Sequence, residues 1–318
     1  MAKKIKISLI ALVLTMFIVI FSSVYLLLPD RHITIVVNQG ATFFSIANQL
    51  KENHLILSKR LFLKLVNFKN AGSKLKAGVY TFSCKDTMVT ILKDLITGSK
   101  NSIKFTIPEG NNIKQIAQII SKNIGIDKEK FVKIVAIRNL EGYLMPETYF
   151  VVPGMNEEQI VDMMYNEFNK KITPGMLQRA KEINMNFKDI VILASIIEKE
   201  AVKSNERPII SAVFYNRLRK NIRLQSCATV LYAMGINKEK LTIEDTKFRS
   251  PYNTYLHSGL PPGPICSPGI ASINAALYPA NVKSLFFVSK GDGHHMFADT
   301  LKEHNKNKQE VSKNKEVN

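Results

Sequence analysis

The feature that most constrains this chain is an uncharged segment close to its N-terminus. Residues 7–28 carry no charged side chain, and the short stretch before them, residues 1–6, contains three of the chain's lysines. About 20 apolar residues are enough for one helix to cross a bilayer. Lysines that precede such a span hold the N-terminus in the cytoplasm. We therefore predict a basic cytoplasmic N-terminus at residues 1–6 and a transmembrane anchor at residues 7–28.

The alternative to an anchor is a signal peptide that is removed after export. A signal peptide has a shorter apolar region, which ends at a cleavage site flanked by small residues. Here the apolar segment ends in Tyr25-Leu-Leu-Leu-Pro29, which lacks such a site. The sequence therefore favours an uncleaved single-pass protein of the cytoplasmic (inner) membrane, with everything from Asp30 onward on the extracytoplasmic side.

The charge balance indicates an anionic partner. Lysine and arginine number 44 against 26 aspartate and glutamate residues, which gives a formal net charge of +18. Candidates are nucleic acid, anionic lipid head groups and a polyanionic wall polymer. The basic residues are dispersed and match no nucleic-acid-binding signature. For a domain outside the cytoplasm we therefore exclude nucleic acid and expect a membrane surface or wall polymer.

Signatures of cofactor and metal chemistry are weak in this sequence. It contains no P-loop, GxGxxG, HExxH or GxSxG motif. Asp292, His294 and His295 lie close together, but adjacent histidines point in different directions. The chain's cysteines at positions 84, 227 and 266 are too widely spaced for a CxxC site, and free thiols are favoured over one bridged pair. We expect no metal and no cofactor.

The region before residue 120 contains two related strand–helix units. Residues 33–50 and 103–120 each show a short alternating strand, a glycine turn and an amphipathic helical pattern. Between them, the patterns predict a helix, a returning strand and a further helix, at residues 58–66, 76–82 and 87–97. Strand–helix–helix–strand is also the order of a LysM-type module, which binds glycan chains. A small α+β domain with no binding role fits the same pattern.

The stretch from Phe187 to Glu206 is predicted to begin as an apolar helix and to end in a cluster of charge. Ile190, Leu193 and Ile197 recur at helical spacing, and Glu198 lies on or beside the same face. Glu200 is about 200° further round the helix and is predicted to face solvent. A carboxylate on an apolar face must be paired or protonated, and a carboxylic acid that keeps its proton near neutral pH can act as a general acid. The helix alone leaves open whether Glu198 is structural or catalytic.

The later segments combine regular elements with irregular loops. The patterns predict a capped helix start at 241–246, a strand at 284–289 buried on both faces or nearly so, and a solvated tail without apolar periodicity at 305–318. Residues 259–269 are rich in proline and glycine, and a rigid long loop of this kind is usually functional.

Motifs in a fixed order connect these segments to a known family. They are, by residue number, 140–149 (LEGYLMPETY), 194–200 (ASIIEKE), 213–218 (VFYNRL), 224–226 (LQS), 250–255 (SPYNTY), 259–265 (GLPPGPI), and 291–293 (GDG) with His295. This order resembles the YceG-like family of endolytic murein transglycosylases, with a match over residues 102–304.

The resemblance implies a membrane-anchored enzyme that faces the wall. Such an enzyme cuts the β-1,4 bond between N-acetylmuramic acid and N-acetylglucosamine in nascent glycan strands and leaves 1,6-anhydro ends. On the family's E-K-E motif we assign the catalytic role, one general acid that then acts as a base, to Glu198. The residues predicted to bind substrate are Glu141, Tyr143, Asn216, Gln225, Ser226, Tyr252, Asn253 and Tyr255. The chain departs from the family where Asp-Pro usually follows Gln-Ser, because Cys227-Ala228 stands there.

The sequence thus predicts an α+β protein of four parts after its basic N-terminus. These are the transmembrane helix, a LysM-like α+β module at 30–100, a mixed α+β catalytic domain at 101–304, and the polar tail at 305–318. The expected partners are peptidoglycan strands, the cytoplasmic membrane and peptidoglycan synthases. Two other functions remain open: a hydrolysing muramidase with Glu141 as its second carboxylate, and a non-catalytic wall-binding scaffold of the elongation machinery.

Overall fold

Two compact units, within Met1–Ser102 and Ile103–Asn318, make up the computed structural model. The model describes residue 16 and residues 30–38, 40–98, 102–238 and 241–316. Each unit combines helices with two-stranded antiparallel sheets, which confirms the predicted mixed α+β class. No helix among the described residues is long and apolar enough to cross a bilayer. The anchor predicted at residues 7–28 lies outside the described residues, except for Met16.

The first unit has the predicted order of strand, helix, helix and strand, followed by a third helix. Strands β1 and β2 pair antiparallel, with Ile33 opposite Phe82. Each helix begins where the side chain of a threonine or serine accepts a backbone N–H, which satisfies one of the free donors at a helix start. The likeness to a LysM module remains a prediction. The elements are β1 (His32–Val37), α1 (Phe43–Glu52), α2 (Lys59–Phe68), β2 (Gly78–Ser83) and α3 (Met88–Thr97).

The second unit contains two further antiparallel strand pairs among its helices. Strand β3 pairs antiparallel with β4, and β5 with β6. The described elements are β3 (Ile103–Thr106), α4 (Ile113–Ile124), α5 (Lys128–Ile137), β4 (Thr148–Val151), α6 (Glu157–Lys171), α7 (Pro174–Glu182), α8 (Phe187–Glu200), α9 (Arg207–Arg219), α10 (Cys227–Met234), α11 (Ile270–Leu277), β5 (Phe286–Ser289), β6 (His295–Ala298) and α12 (Leu301–Glu316).

Helix α8 forms the centre of the second unit. Every residue from Ile190 to Ile197 is buried, so the helix is enclosed on all sides rather than on the one face that its periodicity predicts. Helices α9, α10 and α11 pack against it. Asn186 caps its start by accepting the N–H of Asp189 at 2.8 Å. Because its body is fixed in the core, its C-terminal end delivers Glu198 and Glu200 to fixed positions.

The described residues of the predicted polar tail are mostly exposed, as expected for a solvated segment, but they form part of helix α12. Thr300 and Glu303 cap its start reciprocally, each accepting the other's backbone N–H. Val311 is buried, and the Asn307 amide donates to the carbonyl of Phe297 in β6. Residues 305–318 contain too few apolar residues to show a helical periodicity, and the sequence therefore did not indicate a helix there. Their Lys, Glu and Gln residues are nevertheless good helix formers.

Two smaller predictions in this region also differ from the structure. Strand β5 is half-buried rather than buried on both faces, because its sheet has only two strands. The predicted helix start at 241–246 is a single turn of 3₁₀ helix, Asp245–Lys247. The predicted caps are present there, because Thr242 and Asp245 each accept the other's N–H.

Candidate active site

A cleft of about 610 Å³ lies in the second unit, beside the C-terminal end of α8. One wall is the start of α4 with the residues just before it, and the other is α10 with the residues that follow it. Lys199 and Glu200 line it from the end of α8. The lining residues are Gly110, Asn112, Ile113, Lys114, Gln115, Lys199, Glu200, Cys227, Ala228, Leu231, Tyr232, Ala233, Gly235, Ile236, Asn237, Ser250, Tyr252 and Ile265.

Glu200 contributes an enclosed carboxylate to this cleft. The residue as a whole is half-buried, but its Oε1 accepts a hydrogen bond of 2.5 Å from Ser226 Oγ at the start of α10. Burial raises the pKa of Glu200 above its ordinary value, and the Ser226 hydrogen bond opposes that rise. The prediction that Glu200 faces solvent is therefore wrong. A helical projection places Glu200 on the side of α8 away from its apolar face. In the structure, residues 226–228 cover that side.

Glu198 is also buried, but it belongs to a charge network rather than to the cleft lining. Its side chain is 6% exposed, and its Oε1 lies 3.3 Å from Arg207 Nη2. Its Oε2 accepts the N–H of Gly269 at 3.0 Å. The carboxylate is thus paired, which is one of the two conditions under which a carboxylate tolerates an apolar surrounding.

Arg207 links Glu198 to neighbouring polar groups. It donates to Ser272 Oγ at 3.0 Å and to Ser204 Oγ at 2.8 Å, and its Nη2 lies 4.0 Å from Glu109 Oε2. Burial raises the pKa of Glu109, the nearby charge of Glu198 raises it further, and Arg207 lowers it. The sequence motifs did not single out Glu109 or Arg207, because their partners are distant in the chain.

Glu141 is half-buried beside the cleft. Its two oxygens accept the N–H of Ile113 at 3.1 and 3.3 Å, and Oε2 accepts the hydroxyl of Tyr232 at 3.2 Å. Burial raises its pKa to about 7, against the lowering effect of these hydrogen bonds. Glu141 thus lies next to the cleft, where its carboxylate contacts the protein's own groups on both walls.

A buried network of hydroxyl groups holds the start of α10. Thr254 Oγ1 accepts the N–H of Ser226 at 3.0 Å, and the Thr229 hydroxyl donates to the Ser226 carbonyl at 2.8 Å. Gln225, just before, has a φ of 51°, in the left-handed region that non-glycine residues seldom adopt. These constraints orient Ser226 towards Glu200. Gln225 itself is exposed, with Oε1 3.5 Å from Arg217 Nη1.

The other predicted substrate-binding residues differ in position. Tyr252 lines the cleft, and half-buried Tyr255 has its hydroxyl 3.2 Å from Cys227 Sγ in the cleft wall. Asn253 is fully buried, where its amide donates to two backbone carbonyls of its own loop. The Asn216 amide likewise donates to two backbone carbonyls, those of residues 282 and 284. Tyr143 packs edge-on against Phe168 in the core. The contacts of these last three residues stabilise loops and core.

Another carboxylate of the second unit, that of Glu206, has two histidine partners. Glu206 accepts from His295 Nδ1 at 2.7 Å and from the His295 N–H at 3.2 Å, while His294 Nδ1 lies 3.3 Å away. Burial alone raises the pKa of Glu206, but these contacts bring it below its ordinary value. Within the described part of the chain, no group of three His, Cys, Asp or Glu residues is placed to hold a metal ion.

Comparisons with known proteins agree with the ordered motifs. The model of the YceG-like family matches residues 35–310. An endolytic murein transglycosylase of Bacillus subtilis is 34% identical, over 90% of this chain and 87% of the relative. One from Streptococcus pneumoniae is 27% identical over 87% of this chain, which spans 58% of that relative.

A solved structure extends the comparison to the fold. The crystal structure of a YceG-like protein from Listeria monocytogenes superposes with a TM-score of 0.59 at 33% identity. It covers 87% of this chain and 99% of the other. By the family match and these identities, the chain belongs to the YceG-like family.

Proposed function

We propose that this protein is an endolytic lytic transglycosylase that cuts peptidoglycan glycan strands. It cleaves the β-1,4 bond between N-acetylmuramic acid and N-acetylglucosamine and leaves 1,6-anhydromuramic acid ends. Two findings from known proteins support this proposal: the chain belongs to the YceG-like family, and its relatives are named endolytic murein transglycosylases. The structural observation that carries the proposal is an enclosed carboxylic acid of raised pKa, Glu200, at the end of a cleft.

The chemistry needs one carboxyl group in two protonation states. Protonated Glu200 gives its proton to the glycosidic oxygen, so that the bond from that oxygen to C1 of the muramic acid breaks and the N-acetylglucosamine leaves with a hydroxyl group. The resulting carboxylate then accepts the proton of the muramic acid C6 hydroxyl. The C6 oxygen closes on C1, and Glu200 regains its proton without consuming water.

The assignment of the acid to Glu200 revises the expectation for Glu198. Burial favours the protonated form of Glu200, which a general acid requires, and Glu200 lines the cleft. Glu198 instead pairs with Arg207 and receives the Gly269 N–H. Glu198 remains the alternative acid, and a substitution at each position separates them.

The decisive experiment compares Glu200→Gln and Glu198→Gln with the wild type. Glu244→Gln is the matched control, because Glu244 is 82% exposed and pairs with Lys247 three residues away. Each protein digests purified uncross-linked glycan strands, and mass spectrometry identifies the new ends. We expect loss of about 10³-fold or more in kcat for Glu200→Gln, the scale of lost acid–base catalysis, and none for Glu244→Gln.

Three results would change the proposal. Full activity of Glu200→Gln combined with loss in Glu198→Gln moves the acid to Glu198. Reducing ends in place of anhydro ends make the enzyme a hydrolysing muramidase. If no protein cleaves but all bind strands, a wall-binding scaffold is the better description. The membrane anchor at residues 7–28, the extracytoplasmic location and an association with peptidoglycan synthases belong to the same proposal and rest on the sequence.

A further inference from the structure

Two aromatic rings stand together in the wall of the cleft. Tyr232 of α10 and Tyr252 both line it, with ring centroids 5.0 Å apart and planes inclined at 51°. A tyrosine combines an apolar ring face with a polar hydroxyl group. Pyranose rings have the matching character, with faces of C–H groups and a rim of hydroxyl groups. The pair therefore has the chemistry of a platform for one sugar ring.

Glu141 connects this platform to the opposite wall. Its Oε2 accepts the Tyr232 hydroxyl at 3.2 Å, and both of its oxygens accept the N–H of Ile113. Ile113 is the first residue of α4, so its N–H has no acceptor within the helix. A carboxylate at a helix start is also favoured by the helix dipole. One side chain thus joins the two walls that face each other across the cleft.

The position of Glu141 is fixed by the residue that follows it. Gly142 has a φ of +83°, and a Cβ atom there would lie 2.4 Å from Cβ of Pro264. The backbone that carries Glu141 is therefore packed against the proline-rich loop and has little room to move. Tyr252 is held in a similar way, since a Cβ on Gly263 would lie 2.8 Å from its hydroxyl oxygen.

The burial of Glu141 has an energetic cost, which its raised pKa of about 7 records. The titratable groups that face it are Tyr232, Tyr252 and Cys266, and none of them is cationic. Hydrogen bonds from the N–H groups of Ile113 and Gly142 and from the Tyr232 hydroxyl hold the carboxyl group at this costly position.

We propose that Glu141 is a positioning residue that sets the distance between the cleft walls and holds Tyr232 beside Tyr252 as a binding platform for a pyranose ring of the glycan strand. The inference rests on the proposed function for the identity of the strand. It replaces the expectation that Glu141 contacts the substrate itself.

The test separates binding from chemistry. Glu141→Leu keeps the approximate size but removes all hydrogen bonds to the side chain, whereas Glu141→Gln keeps an acceptor for Ile113 and a polar partner for Tyr232. We expect Glu141→Leu to raise KM about tenfold or more with kcat within about threefold, because the loss falls on binding. Glu141→Gln should restore most of that loss. Tyr232→Phe, which removes the hydroxyl group that bonds to Glu141 and Tyr252, should raise KM about three- to tenfold.

The same variants in a Glu200→Gln background measure strand binding without cleavage. Calorimetric Kd values for uncross-linked glycan strands should follow the order of the KM values, with Glu244→Gln as the unchanged control. Circular dichroism shows whether each variant is folded, and Tyr232→Phe carries the test if Glu141→Leu is not.

The possible outcomes distinguish the role of Glu141 from the proposed function. Equal Kd and KM values in all folded variants overturn the role of Glu141 while leaving the proposed function intact. A fall in kcat alone for Glu141→Leu also overturns it, because Glu141 would then act in the chemical step. The expected order of Kd values, combined with no cleavage by the wild type, supports the platform and refutes the transglycosylase. Absence of strand binding by the wild type overturns both.

Discussion

Replacing Glu141 by glutamine should change how the stability of the folded protein depends on pH. The pKa of Glu141 rises from an ordinary value of 4.5 to about 7 in the folded protein, chiefly because the carboxyl group is buried. The folded state therefore binds more protons than the unfolded state between these two pH values. Protonation of Glu141 therefore stabilises the folded state fully below pH 4.5. This stabilisation decreases as the pH rises above 4.5 and is lost as the pH passes through 7.

The expected magnitude follows from the size of that change in pKa. Each pKa unit corresponds to about 1.36 kcal/mol, so ionisation of Glu141 lowers the free energy of unfolding by about 3 kcal/mol at pH 8 relative to pH 4.5. Glutamine does not titrate, so the Glu141→Gln protein does not show this decrease in the free energy of unfolding. The difference in stability, Glu141→Gln minus wild type, should increase by about 3 kcal/mol across the interval.

Urea unfolding of the full-length protein, followed by circular dichroism at several pH values from 4.5 to 8.5, measures this difference. Glu109 and Glu200 also have raised pKa values, but they are present in both proteins and cancel in the comparison. Glu244→Gln, at an exposed site, should follow the wild type throughout. A difference that is constant within about 0.5 kcal/mol, or that decreases with rising pH, would refute the burial of an ionisable carboxyl group at this position.

Two further predictions concern the acid and the loop that supports Glu141. Ser226→Ala removes the hydrogen bond that lowers the pKa of Glu200, so Glu200 should keep its proton to higher pH. The alkaline limb of the kcat profile, where activity falls as the acid loses its proton, should move up by roughly one pH unit. An unchanged or lowered limb would argue against Glu200 as the acid. Gly142→Ala combines a positive φ with a clash against Pro264 and should reduce the free energy of unfolding by about 3 kcal/mol. Gly154→Ala, with a φ of +90° and open space around it, should lose only about 1 kcal/mol in the same denaturation assay, and equal losses would contradict the packing argument.

Local patterns predicted most elements, because strands and helices depend on nearby residues. The strand–helix pairs at residues 32–52 and 103–124, the capped helices and the central helix all occur where periodicity and capping residues indicate them. The mixed α+β class follows from those elements. Helix α12 was missed because its apolar residues are too few to form a periodic face, although they suffice to pack it on β5 and β6.

The candidate site was harder to predict, because its contacts join residues that are distant in sequence. Helical geometry correctly placed Glu198 inward. It also placed Glu200 in solvent, because a single helix cannot show which other segments cover its opposite side. Ser226 covers Glu200 there, at a separation of 26 residues. Asn253 shows the opposite error. A polar side chain in an irregular loop was interpreted as facing substrate, but it lies in the interior and satisfies the carbonyls that the loop leaves unpaired.

The complete burial of residues 190–197 in α8 has a consequence for when the enzyme becomes active. A helix without a solvent face is stable only after α9, α10 and α11 have packed around it. Glu200 owes its raised pKa to the same assembly, since α10 supplies the residues that enclose it. In an incompletely folded chain this carboxyl group is solvated and ionised at neutral pH, and it has no proton to donate. The proposed acid therefore acquires its raised pKa only once the unit has folded.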